Sequence, residues 1–137
     1  MSVADTITAN PFDPIEVFRA ALSMGDGAGV ARAHVDGDVT IIDNVAPFIW
    51  IGSSAVADWL TSMAVNSETR GLSEQNVIYG PARTELVDGD RAYGNYPAEW
   101  TYLERDEPRR DRATIAFALR RTVVGWKIAG WSWNPSA

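Results

Sequence analysis

The chain has 137 residues, 46% of them hydrophobic, and a formal net charge of -6. This length and composition predict one compact domain, residues 1–137, and the negative charge argues against nucleic acid and anionic membranes as partners. The chain has no cysteine and a single histidine, His34, so disulfides, thiolate chemistry and the usual transition-metal sites are not expected.

The amino terminus has no basic segment followed by an apolar stretch, so no targeting signal is predicted. No apolar run approaches the roughly 20 residues that span a bilayer. A cytoplasmic location is the expectation, with residues 1–11 as a flexible segment ahead of the first helix.

The first predicted helix begins at Pro14. Asp13 would cap it, Glu16 would complete a capping box, and Phe12 would pack against Val17. Gly25 is well placed to end this helix in a left-handed conformation. Asp26 would then cap a second, shorter helix that ends near His34.

A β-rich stretch follows at residues 39–43, and a short apolar segment at residues 48–51 ends at Gly52. Ser53 or Ser54 would cap a third helix. The apolar residues of that helix recur at helical spacing and form one stripe: Val56, Trp59, Leu60 and Met63.

The remaining sequence predicts four antiparallel strands, at residues 77–87, 91–104, 113–122 and 126–133. Residues 105–112 are interpreted as a solvated loop, because their charges nearly cancel and Pro108 blocks pairing. In the last strand, simple alternation predicts two faces, with Trp126, Ile128 and Gly130 on one and Ala129, Trp131 and Trp133 on the other.

This order of elements resembles the nuclear transport factor 2-like superfamily, which includes ketosteroid isomerase, scytalone dehydratase and the SnoaL-like polyketide cyclases. The resemblance is carried by loose patterns at residues 20–26, 38–43, 52–56 and 125–128. It implies a cone-shaped α+β fold, also called cystatin-like, with three helices packed in a strongly curved, mainly antiparallel sheet. Because this fold hosts several chemistries, the resemblance supports the fold better than a reaction.

The resemblance also places the isomerase general base on Asp43. Desolvation at the mouth of an apolar cavity would raise the pKa of that carboxyl and suit it to proton transfer. The family's two oxyanion donors fall on Phe18 and near Phe117, which cannot donate hydrogen bonds, so the familial steroid isomerase mechanism is not expected. The alternative, which the sequence favours, is that Asp43 is a turn residue whose side chain binds local backbone amides.

Four further polar positions are candidates. His34 could pair with a cavity carboxylate, as in the dehydratase relatives, or could interact with the end of its helix. Glu99 would be a second acid-base candidate if it points inward, and a surface charge if it points outward. Tyr79 or Tyr96 could replace the missing phenol donor. Pro97 predicts a bulge or an edge in this strand, so its inward face is left open.

The aromatic residues predict either a ligand-cavity wall or an ordinary core. The candidate ligand-binding residues are Phe18, Trp50, Trp59, Met63, Tyr79, Tyr96, Trp100, Phe117, Trp131 and Trp133.

Three classes of function fit these observations. The first is a cofactor-free and metal-free isomerase, cyclase or dehydratase that acts on a small apolar, ring-containing or polyketide-like substrate. The second is a protein that binds such a ligand without converting it. The third is a dimerisation or accessory module resembling the small subunit of ring-hydroxylating dioxygenases. A homodimer through the sheet face is expected in each case, since the resemblance implies it.

Overall fold

The computed structural model describes residues 10–136, so residues 1–9 of the predicted flexible segment lie outside it. The described range contains three helices: α1 (Asp13–Ser23), α2 (Gly27–Arg32) and α3 (Ala55–Arg70). None of them is long and apolar enough to cross a membrane.

The same range contains seven strands in one sheet: β1 (Val39–Ile42), β2 (Ile49–Gly52), β3 (Leu72–Tyr79), β4 (Thr84–Asp88), β5 (Arg91–Glu104), β6 (Glu107–Thr122) and β7 (Gly125–Pro135). The spatial order is β2-β1-β7-β6-β5-β3, and β4 also pairs with β5. Only β1 and β7 run parallel; the other pairs are antiparallel. This is the predicted α+β architecture.

The core lies between the helices and one face of the sheet, which we call the inner face. Alternate residues of the long strands point to it, and their burial follows the same alternation, as at Ile115, Phe117 and Leu119 on β6. Phe18 on α1 and Ile41 on β1 are fully buried against these side chains. The inner face therefore fixes which side chains can reach a cavity beneath the helices.

The start of α1 differs from the prediction. The helix begins at Asp13, and its N-cap is Phe12, which makes no side-chain capping bond. Glu16 does not complete a capping box, because its carboxylate instead binds Arg19 at 2.6 Å and 2.8 Å. The predicted left-handed Gly25 (φ 68°) and the Asp26 cap, which accepts from the Gly29 N–H at 2.9 Å, are both confirmed.

The predicted strand at residues 77–87 is two strands, β3 and β4, so five strands rather than four follow α3. Both pair with the same flank of β5, and the chain passes from one to the other around Pro81. Pro97 lies opposite this break, where the Gly80 N–H donates to the Pro97 carbonyl at 2.8 Å. The predicted bulge at Pro97 is wrong, because its pairing with β6 is regular. The alternative, an edge, holds locally: on its other flank Pro97 lies at the gap between β3 and β4, where no partner strand needs its missing N–H.

The predicted loop at residues 105–112 is also wrong. Only Arg105 and Asp106 form a turn, with φ of 48° and 69°, and β6 begins immediately afterwards at Glu107. The segment is solvent-exposed, as predicted, but its charged residues lie on a strand and have cross-strand partners. Arg110 and Arg112 pair with Glu99 at 3.3 Å and 3.4 Å, and Arg109 pairs with Glu104 at 3.6 Å.

A bulge in β7 corrects the predicted division of the closing strand into two faces. Leu119 pairs with Ile128 and Ala118 pairs with Gly130, which leaves Ala129 as an extra residue. The extra residue reverses the alternation, because side chains alternate with a period of two. Ile128 and Trp131 therefore both point to the inner face and are buried.

Candidate functional site

An open cavity of about 590 Å³ lies between α1, α3 and the inner face of the sheet. This volume is in the range of small-molecule sites. The wall is largely apolar and aromatic, and its bulky members are Phe18, Leu22, Trp59, Leu60, Met63, Tyr79, Trp100, Ile115, Trp131 and Trp133.

Asp43 contributes a carboxylate to this wall. It directly follows β1, and its Oδ2 accepts a hydrogen bond from the Trp59 indole N–H at 2.9 Å while Oδ1 accepts from the Asn44 backbone N–H at 2.7 Å. Burial raises the pKa of Asp43, and these two hydrogen bonds oppose that rise. Asp43 therefore makes the local backbone hydrogen bond expected of a turn residue. It also lies on the cavity wall, as expected of a general base.

His34 is buried, with 4% of its surface exposed, and does not line the cavity. Its Nδ1 lies 2.8 Å from the Val30 carbonyl oxygen, and its Nε2 accepts from the Trp131 indole N–H at 3.1 Å. The hydrogen-bond network assigns the neutral ring with the proton on Nδ1. Burial lowers the pKa of His34 to about 4. The predicted pairing of His34 with a cavity carboxylate is not found, because both ring nitrogens are already occupied.

Glu99 points away from the cavity. Even-numbered residues of β5, such as Ala98 and Tyr102, are buried on the inner face, and Glu99 lies on the outer one. Its carboxylate pairs with Arg110 and Arg112 on β6. The prediction of Glu99 as a cavity acid is therefore wrong. The face of β5 that points inward, which the sequence left open, is the one with Tyr96, Trp100 and Tyr102.

Tyr79 and Tyr96 have different surroundings. Tyr79, at the end of β3, lines the cavity, and its hydroxyl oxygen is buried without a hydrogen-bond partner. Burial raises the pKa of Tyr79 well above its usual range, so the phenol stays protonated. Tyr96 instead folds over Gly94 beside Glu85, with its pKa raised to about 12, chiefly by burial. Tyr96 does not line the cavity, which corrects that prediction.

Two other predicted wall residues belong to the core. Phe117 is 1% exposed and lies beneath Phe18, Tyr79 and Tyr96, with ring centroids about 6 Å apart. Trp50 is buried on β2, opposite Ile41, away from the cavity. The six other predicted wall residues besides Tyr79 do line the cavity: Phe18, Trp59, Met63, Trp100, Trp131 and Trp133.

Two of the cavity-wall tryptophans already use their indole N–H groups in hydrogen bonds within the protein. Trp59 donates to Asp43 and Trp131 donates to His34. Among the residues 10–136, the Tyr79 hydroxyl is the buried cavity-wall donor that has no internal partner.

Sequence reasoning missed the polar rim of the cavity. Asn66 and Ser67 line it from α3, and Gln75 reaches it from β3, where its amide donates to the Ser67 hydroxyl at 3.0 Å. The helical spacing of three and four residues from Met63 would have identified the first two. Glu74 and Gln75 gave no signal, because the start of β3 was not predicted. In the described part of the chain, no three His, Cys, Asp or Glu side chains cluster closely enough to hold a metal ion.

No protein-family model matches this chain, and no curated protein matches it in sequence. Solved structures do match it in fold. A nuclear transport factor 2-like superfamily protein from Salmonella enterica serovar Typhimurium superposes with a TM-score of 0.78 and 14% identity, over 98% of this chain and 94% of that one.

Two further structures extend the comparison. A candidate aromatic ring hydroxylase from Novosphingobium aromaticivorans gives a TM-score of 0.74 and 16% identity, over 100% of this chain and 92% of that one. A ketosteroid isomerase-like protein from Erwinia carotovora atroseptica gives 0.72 and 14%, over 95% and 96%. The chain therefore has the nuclear transport factor 2-like, or cystatin-like, α+β fold, with ketosteroid isomerase-like proteins among its structural neighbours.

Proposed function

We propose that this protein binds a small, apolar, ring-containing molecule in the cavity and that Asp43 transfers a proton on it, in cofactor-free isomerase, cyclase or dehydratase chemistry. The observation that carries this proposal is the Asp43 carboxylate. It is desolvated on the wall of an aromatic cavity and is held at 2.9 Å by the Trp59 indole.

Desolvation makes the Asp43 carboxylate a stronger base, because it raises its pKa. A carboxylate with a raised pKa removes a proton more readily than a solvated one and can return it in a later step. Trp59 and Asn44 hold both oxygens in place, so little reorganisation is needed during the transfer. We assign the unpartnered Tyr79 hydroxyl as the donor to a ligand oxygen, in place of the donors that Phe18 and Phe117 lack. Because this oxygen is buried, the Tyr79 ring must shift for the hydroxyl to reach a ligand.

The first test is a titration of the Asp43 carboxyl by carbon-detected NMR, with Asp43→Asn to assign the signal. The expected pKa lies above the ordinary value of 3.8. In Trp59→Phe it rises further, because the hydrogen bond that stabilises the carboxylate is removed. A wild-type pKa at or below 3.8 would contradict the proposal.

The second test separates catalysis from binding. Solvent-deuterium exchange next to the carbonyl of a bound ring ketone, such as 2-tetralone, reports proton transfer without knowledge of the natural substrate. The expected result is exchange catalysed by the wild type and slowed about a hundredfold or more in Asp43→Asn. Equal rates in both proteins, with binding retained, would favour the alternative of a non-catalytic binding protein.

The outer face of the sheet supports a homodimer as the partner state. An uncharged band crosses six strands there, and Ala116, Gly130 and Ser132 lie in it. Its exposed apolar side chains are Ile42, Ile51, Leu86, Tyr93 and Ala118. Asn95 lies in the same band, and its side-chain oxygen is buried without a partner. We propose that a second copy of this chain covers the band. The accessory-subunit alternative places a different polypeptide there, as the similarity to a candidate aromatic ring hydroxylase suggests.

Molar mass by light scattering tests the dimer. The wild type should have twice the chain's 15.0 kDa, and Ala118→Glu, at the centre of the band, should be monomeric and folded. Ala57→Glu, on the exposed side of α3, is the matched control and should remain dimeric. A wild-type mass of 15.0 kDa would exclude the homodimer and favour a different partner.

A further inference from the structure

The charged residues that line the cavity all have one sign. Asp26, Asp43 and Glu74 line it, and no lysine or arginine of the described residues does so. Asp26 is already engaged, since it accepts from the Gly29 N–H at 2.9 Å and lies 3.7 Å from the Arg32 guanidinium. The carboxylates of Asp43 and Glu74 are left facing the cavity. A ligand with a carboxylate, sulfonate or phosphate would meet repulsion here and no compensating cation.

Asp43 is half-buried, and no ionic partner offsets the desolvation of its carboxylate. Its hydrogen bonds come from two neutral groups, the Trp59 indole and the Asn44 backbone, and in residues 10–136 no lysine, arginine or histidine lies within 4.0 Å of its carboxylate. A buried carboxylate is costly unless it is paired. A positive charge delivered by a ligand would supply the missing partner.

Aromatic rings surround the same space. Trp59 and Trp131 meet edge to face at 4.9 Å, and Phe18 lies 5.3 Å from Trp131. Trp100 and Trp133 complete the wall. The faces of such rings carry negative potential and attract organic cations, indole most strongly. The Trp100 ring already has a cationic neighbour, since the Arg70 guanidinium lies 5.9 Å from its centroid. The other three tryptophans and the Asp43 carboxylate suit a bulky ammonium group better than a purely neutral molecule.

We propose that the ligand of this cavity is an organic cation, an apolar ring-bearing molecule with a protonated or quaternary amine seated between Asp43 and the tryptophan rings. This inference rests on the proposed function, because it assumes that the cavity is a ligand site. It adds the charge of the ligand and excludes anionic substrate classes.

The test compares three probes of similar shape: 3-hydroxyphenyltrimethylammonium, its neutral isostere 3-tert-butylphenol, and 3-hydroxybenzenesulfonate. Binding is followed by NMR through the indole N–H signals of the tryptophans. The cation should bind roughly tenfold more tightly than the neutral isostere, and the sulfonate should bind more weakly than both. In Asp43→Asn the ratio of the two affinities, cation over neutral isostere, should fall severalfold.

Two variants serve as controls. Asp36→Asn removes the same charge from an exposed residue that does not line the cavity, and should keep the preference. Glu74→Gln removes the exposed carboxylate at the rim and should reduce the preference for the cation less than Asp43→Asn does. If Asp43→Asn folds poorly, Glu74→Gln provides the second test. Equal or tighter binding of 3-tert-butylphenol would overturn the inference and leave the cavity as a ligand site. If no probe binds, both the inference and the proposed function fail.

Discussion

Single residues in this protein are distinguished by whether their polar atoms are already satisfied. His34 uses both ring nitrogens and Trp131 its only N–H, so these groups fix the packing of α2 against β7. The Tyr79 hydroxyl has no partner, and Asp43 has only neutral ones. Buried polar groups are normally paired, so the unpartnered Tyr79 hydroxyl is a position where the proposed ligand would supply the missing contact.

The buried His34 predicts a dependence of stability on pH. Its folded-state pKa of about 4 lies below the ordinary 6.5, so the unfolded chain binds the proton more tightly. The stabilisation is complete above about pH 6.5 and is lost as the pH falls toward 4. Between pH 7 and pH 5 the loss should be about 2 kcal/mol in the free energy of unfolding, measured with urea. His34→Gln should lack most of this loss; an unchanged pH dependence would show that His34 is not its source.

At the level of elements, small features of the strands decide what reaches the cavity. The extra residue Ala129 brings Trp131 to the inner face beside Ile128. Gly130 then allows β1 and β7 to pair in parallel, because a Cβ there would lie 2.9 Å from the Thr40 carbonyl oxygen. That pairing carries Asp43, the residue after β1, to the cavity wall.

Gly130→Ala should therefore be destabilising. The added methyl group would push β1 away from β7, and we expect a loss of about 1–3 kcal/mol in the free energy of unfolding. Gly27→Ala is the control, since its Cβ would meet only Leu60 Cδ1 at 3.7 Å. Denaturant unfolding of the two variants measures the difference. Equal stabilities would mean that the strands separate at no cost.

At the scale of the whole molecule, the cavity is lined by residues from segments that are far apart in the sequence. Phe18 comes from α1, Trp59 from α3, Tyr79 from β3 and Trp131 from β7, and no two of them are neighbours in sequence. The space they leave open forfeits packing that a filled core would have. A site made in this way should be blocked by a single bulky residue at its mouth without loss of the fold.

Ala64→Trp tests this expectation. Ala64 is exposed on α3 and lines the cavity, whereas Ala57 is exposed on the same helix and does not. Ala57→Trp is the matched control. The free energy of unfolding of both variants should stay within about 0.5 kcal/mol of the wild-type value, because neither Ala64 nor Ala57 is buried. Only Ala64→Trp should weaken binding of 3-tert-butylphenol, by about tenfold or more, as measured by NMR titration. Similar binding by both variants would place the ligand elsewhere.

The sequence by itself determined the fold class, the three helices and the extent of β5, because helix stop signals such as Gly25 and the alternation along a long strand act through near neighbours. It also identified most of the aromatic cavity wall and the position of Asp43 in it. Only the tertiary structure decided that Glu99 faces outward, that Tyr96, Phe117 and Trp50 are core, and that the Tyr79 hydroxyl is unpartnered. Those outcomes depend on strand register, the bulge at Ala129 and contacts between segments far apart in the chain, which no local pattern encodes.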